Sequence, residues 1–192
     1  MSAEVVDGEL GRVVAELGAI GEEARRAFGA LSAQQVNWKP GPDEWSVGQC
    51  LEHLMKTNRG LFPTLERVAR GELRGTAWER WSPLSGLFGR FIARHLAKDG
   101  RKFKAPAKLT PSASDLPADI VERFAAHQDE LAWLIKATER ADLRRTVVTS
   151  PVSALVTYSL LDAYRIVVAH ERRHLRQARR VTETPGFPAG GF

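Results

Sequence analysis

His170 and His174 stand four residues apart on a stretch that reads as a helix from about Val152 to Val181. On a helix such residues lie one turn above each other and about 40° apart around the axis. Two imidazoles so placed can reach one metal ion, each nitrogen at roughly 2.0–2.1 Å. The pair falls on the strip that also carries Val156, Leu160, Ala163, Val167 and Ala178, so both rings are expected to point inward. Buried ring nitrogens need partners, because each one left unpaired costs on the order of 1–3 kcal/mol. A metal ion would serve, and so would a network of side chains or water.

A third ligand would have to come from elsewhere in the chain. His53 follows a Ser46-x-x-Gln49 capping box, in which each side chain satisfies the other's backbone N–H. Its angle is about 130° from the centre of the apolar stripe of its helix, close to Cys50 and Thr57. Alone it reads as a boundary or surface residue; it becomes a ligand only if that edge faces the end of the last helix. His127 shares an inner stripe with Phe124 and Leu131, and reads as a satisfied core residue or the lining of a pocket. His95 ends a basic amphipathic piece, 90–94, and reads as solvent-facing, with contact to a membrane surface as another reading. Cys50 reads as a buried structural thiol rather than a reactive one. Glu171 lies about 60–100° round the helix from the two histidines and is a weak candidate for a catalytic base. No Gly-rich phosphate loop follows a strand, and the paired Glu-x-x-His motifs of di-iron bundles are missing.

The elements that must position these residues follow from period and punctuation. Val6, Leu10, Val13, Leu17, Ile20, Ala24, Phe28 and Leu31 recur at three- and four-residue steps, predicting a first helix over 3–31. A break follows at 38–42, where Pro40 and Pro42 forbid helix. A second helix runs from Val47 to about Arg70, with Trp45 placed as a hydrophobic staple and Pro63 as a kink. A short amphipathic piece, 84–96, and a basic crossing, 101–106, make a long crossover between helices 2 and 3. The third helix starts near Asp115 with Pro117 in its first turn, and the fourth after Ser150-Pro151. Thr146-Val147-Val148-Thr149 is the sole hint of strand alternation. The expectation is an all-α four-helix bundle, one domain over 1–192 with its core at about 3–182 and a non-helical tail over 183–192.

Composition bounds the class. The chain has 192 residues, 43% hydrophobic and 27% charged, which suits one globular domain. A single cysteine excludes an internal disulfide and every multi-cysteine metal site. No apolar run is long enough for a membrane span, and nothing at the N-terminus marks export, so a cytoplasmic protein is expected. The net charge is +5, with basic residues gathered between Arg70 and Lys108 and between Arg140 and Arg180. Arg172, Arg173, Arg176, Arg179 and Arg180 lie opposite the histidine strip and read as a solvated helix face, with no nucleic-acid recognition module beside them.

Trp38…Pro40…Trp45-Ser46-x-x-Gln49…His53-Leu54, together with His170-x-x-x-His174-x-x-Gln177, resembles the DinB-like superfamily of bacterial bundle proteins. The Lys102–Pro106 crossing and the ending Thr184–Pro188 are similar to one of its larger branches. The resemblance implies an up-down-down-up bundle holding a divalent metal, zinc or nickel first among the candidates, through three histidines that match His53, His170 and His174. Characterised relatives include metal-dependent thiol transferases that join a low-molecular-weight thiol to an electrophile, and relatives are often dimers, so a homodimer is compatible with it. Gln177, one turn beyond His174, is placed to hydrogen-bond a ligand ring.

The leading expectation is therefore a metal-dependent enzyme that transfers a thiol to a small-molecule electrophile, hydrolysis being less favoured. A non-catalytic bundle that binds metal or a small molecule is the alternative. A basic nucleic-acid or membrane-surface binder comes third, without a specific nucleic-acid partner.

Overall fold

The computed structural model describes residues 3–72, 110–112 and 115–189, the side chains of 3–7 aside. Helices α1 (Ala3–Phe28), α2 (Ala33–Asn37), α3 (Val47–Arg59), α4 (Phe62–Ala69), α5 (Ile120–Lys136) and α6 (Leu160–Glu183) are joined by a hairpin of β1 (Val147–Ser150) and β2 (Ser153–Ser159) between α5 and α6. Helix α1 packs chiefly on α5, and α3 chiefly on α6. The segment 84–96 with His95, and the crossing at 101–106, lie outside the described residues.

This is not the clean all-α, up-down-down-up four-helix bundle expected from the sequence. The strands pair antiparallel, with Val147 opposite Ser159 and Val148 opposite Tyr158, and the register shifts between Thr149 and Ser150. Val152–Ser159, read as the first turns of the last helix, is rich in residues that resist helix and favour strands: Val152, Val156, Thr157 and Tyr158. Val148 and Tyr158 bury against the core, so the hairpin gains hydrophobic burial that a fraying helix end would forgo. Helix α6 starts only at Leu160, capped by Ser159, whose Oγ accepts the Asp162 N–H at 3.1 Å. Val156 thus belongs to a strand and not to the histidine strip.

Three boundaries also move. The expected second helix is two helices, α3 and α4, because Pro63 has no N–H to offer the Arg59 carbonyl and opens a new helix instead of kinking the old one. The third helix begins at Ile120 rather than near Asp115; Pro117 sits in the preceding turn, its carbonyl accepting from Ile120 N–H at 3.0 Å. Within the break that follows α1, Ser32 and Gln35 form a reciprocal capping box that nucleates α2.

Two apolar clusters fill the interior. One gathers Leu10, Leu17, Leu65, Leu131, Leu143, Leu161 and Tyr164; the other gathers Ile20, Phe28, Val36, Leu51, Leu54, Phe124 and Leu175. The second cluster matters for function, because it clamps the middle of α3 against the C-terminal half of α6. Gly48 permits that clamp to close on α2: a Cβ there would stand 2.8 Å from Val36 Cγ1 and 3.0 Å from Leu116 Cδ1.

Candidate metal centre

The start of α3 is fixed before any histidine is placed. Gln49 N–H donates to Ser46 Oγ, and Ser46 N–H donates to Gln49 Oε1, both at 3.1 Å. Gln49 Nε2 then donates to the Ser112 carbonyl at 2.8 Å, tying a distant segment to the cap. One turn further on, His53 is buried and faces α6. Burial extends round most of α3, from Val47, Gly48 and Leu51 to His53, Leu54 and Asn58, since α2, α5 and α6 all pack on it. An apolar stripe centre therefore could not mark the edge that faces α6.

The three imidazoles converge. His53 Nε2 lies 3.3 Å from His170 Nε2. Ring centroids stand 4.6 Å apart for His170 and His174, 4.8 Å for His53 and His174, and 5.1 Å for His53 and His170. One ligand atom from each residue lies within 4.8 Å of the others, so the set could hold a metal ion. The chemistry of the donors can be tested against that distance. Two nitrogens bound tetrahedrally to one zinc at roughly 2.0–2.1 Å must stand about 3.3–3.4 Å apart, which is the His53–His170 separation.

The surroundings favour neutral, oriented rings at His170 and His174. Burial pulls the His174 pKa down to about 3, with the neighbouring His53 adding to the effect. Burial also holds His170 well below its ordinary value, followed by repulsion from His174 and His53. Only neutral imidazole offers a lone pair to a metal. His174 Nδ1 donates to Gln177 Oε1 at 3.0 Å, which leaves the Nε2 lone pair available to a metal ion. Trp45 is stacked on His174 (5.5 Å, 21°) and tilted against His53 (4.8 Å). The residue read as a hydrophobic staple is thus a wall of the histidine site.

Glu171 does not join the histidines. It is fully buried and turned toward α3, where Asn58 Nδ2 donates to its Oε1 at 2.6 Å. Its Oε2 has no hydrogen bond, although the Gln128 amide lies beside it. Burial raises this carboxyl to about 7. Asn58 and Gln128 as its companions were missed in the sequence; the signal was a polar Asn58 within the apolar stripe of α3.

His127 is buried, stacked face to face on Phe62 (5.2 Å, 8°), and lines a cleft between α3 and α5. It is not a satisfied core histidine, since neither ring nitrogen has a hydrogen-bond partner. Cys50 is completely buried, and burial pushes its thiol up to about 12, which fits a structural role. The basic face of α6 is partly neutralised by α1: Arg172 pairs with Glu16 and Glu23, and Arg179 with Glu23.

Fold and site together define a mostly helical domain with an inward-facing three-histidine cluster contributed by two helices. The sequence pattern of the DinB superfamily matches residues 16–178, and the chain belongs to that superfamily. It is also similar to the uncharacterized protein YuaE of Bacillus subtilis (strain 168), 23% identical over 155 residues that cover 80% of this chain and 86% of that protein. No solved structure matches the chain. Among the described residues no helix is long and apolar enough to cross a membrane.

Proposed function

We propose that His53, His170 and His174 hold a divalent metal ion, and that the protein uses it to transfer a low-molecular-weight thiol to a small electrophile. The observation that supports this most is the convergence of one ring nitrogen from each of three histidines within 4.8 Å, with no carboxylate among them. A divalent ion held by neutral ligands keeps its full charge and strongly favours the thiolate form of a coordinated thiol. In the reaction the thiol loses its proton to solvent, its sulfur bonds to carbon, and the leaving group departs with the bonding pair.

The chain's own residues bind and orient. Gln177 fixes the tautomer and rotation of the His174 ring, Trp45 covers two rings and excludes water from that side, and the α3 cap fixes the height of His53. Zinc and nickel both suit three imidazoles. The alternative, a non-catalytic binder of metal or a small molecule, draws support from Glu171: the carboxyl next in sequence to the ligands is sealed against Asn58 and offers no base at the site. Turnover separates the two. The purified full chain is mixed with cysteine and a chlorodinitrobenzene electrophile, with and without added zinc or nickel. Thioether formation above that of the chelated protein and of the metal alone is expected. Equal rates in all three would overturn the enzyme reading and leave the binder.

A further inference from the structure

Outside the histidine triad, His127 is a buried histidine whose ring nitrogens lack a partner. A cleft of about 400 Å³ opens between α3 and α5, and none of the triad histidines lines it. That volume falls in the range of small-molecule sites, about 300–1,000 Å³.

We propose that this cleft is a second ligand site, which takes a small organic anion: a carboxylate or phosphate group on an apolar body, its charge against Arg59 and its polar oxygens toward His127. His127 borders the cleft at 3% exposure, and neither of its ring nitrogens has a hydrogen-bond partner. Its neighbour Glu130 stands 3.8 Å from Nδ1, beyond hydrogen-bond reach. The ring is stacked face to face on Phe62. A neutral imidazole offers one N–H donor, which suits an anionic oxygen.

Among the charged groups of the cleft, Lys56, Arg59 and Arg123 outnumber Glu52 and Glu130, which favours an anion. Glu52, an acid of the cleft wall, is already engaged: it accepts from Ser112 N–H at 2.6 Å and Ser112 Oγ at 2.8 Å, and pairs with Lys56 at 3.1 Å. These contacts hold its carboxyl below the usual range although burial opposes them. Arg59 makes no ion pair among the described residues, and it faces the same cleft. Its charge, after burial, helps keep His127 neutral, pulling the ring down to about 4. Met55, Leu116 and Ile120 supply the apolar wall for the body of the ligand.

The test uses the full chain, with and without chelator, and three probes of similar shape: benzoate, phenyl phosphate and the neutral benzamide. Binding is followed by NMR titration. At least one anion is expected to bind about tenfold more tightly than benzamide, and which of the two wins identifies the acid group. Chelation should leave that affinity unchanged. Arg59→Met, at an exposed position that does not endanger folding, should weaken the anion about tenfold and leave benzamide alone; His127→Phe should weaken the anion as well. Equal binding of benzamide and the anions, loss of binding on chelation, an unchanged affinity in Arg59→Met, or no saturation at tens of millimolar would each overturn the proposal. Because the site needs no metal, failure here is distinguishable from failure of the triad.

Discussion

The Nε2 atoms of His53 and His170, 117 residues apart in the chain, stand 3.3 Å from each other. With one of them protonated, this is an N–H···N hydrogen bond; with both lone pairs exposed, it is one edge of a ligand set. His174 and its Gln177 partner favour the second use. A third ring at 4.6–4.8 Å from both is superfluous to a hydrogen bond but necessary for a three-nitrogen site.

Gln177→Leu removes the acceptor that fixes His174 without touching a ligand. Metal affinity should fall about 10- to 100-fold, the usual cost of losing such support. Competition against a chelator of known affinity measures it, and circular dichroism should show an unchanged helix content. Equal affinity would mean that Gln177 does not orient the ring.

Glu171 sets a pH dependence whose sign can be worked out. Its folded pKa, about 7, lies above the ordinary 4.5, so between those values the folded state holds more protons than the unfolded one. Stability from this group is therefore complete at low pH and declines as pH rises from about 4.5 through 7. Glu171→Gln keeps the shape and cannot ionise. Relative to the parent, it should gain up to about 3 kcal/mol between pH 5 and pH 8, read from urea unfolding of metal-free protein. A constant difference across that range would contradict the buried, destabilised carboxylate.

Gly48→Ala sets two effects against each other. Alanine is better than glycine within a helix by about 1 kcal/mol. The new Cβ, however, would meet Val36 Cγ1 at 2.8 Å and Leu116 Cδ1 at 3.0 Å, both in packed surroundings. Overpacking costs about 1–3 kcal/mol, so the net effect should be a loss of stability of roughly 1–2 kcal/mol. An increase in the unfolding midpoint would mean that α2 moves away easily, and that the height of α3 is not fixed by it.

How much of this was legible in the sequence depends on how local each feature is. His170 and His174 were legible because one helix places both, and a four-residue spacing needs nothing else. His53 was not, because its role depends on which neighbour covers each edge of α3, and that helix is buried on several sides. Only the resemblance to a family supplied it. The hairpin was hidden by ambiguity of pattern: Val152, Val156 and Leu160 fit a helical period, while the β-branched run through Thr157 fits a strand, and tertiary burial of Val148 and Tyr158 decided between them. The capping box of α2 was present as Ser32-x-x-Gln35, the same signature read correctly at Ser46, but the nearby prolines masked it.

The central claim is that three side chains act as one ligand set. Metal content per chain, measured after zinc and nickel loading and gel filtration for the parent and for His53→Ala, His170→Ala and His174→Ala, tests it most directly. The account predicts close to one ion per chain in the parent and a loss of most of it in every variant, His53→Ala included. Retention of the parent's metal by His53→Ala, or equally little metal in all four proteins, would contradict it.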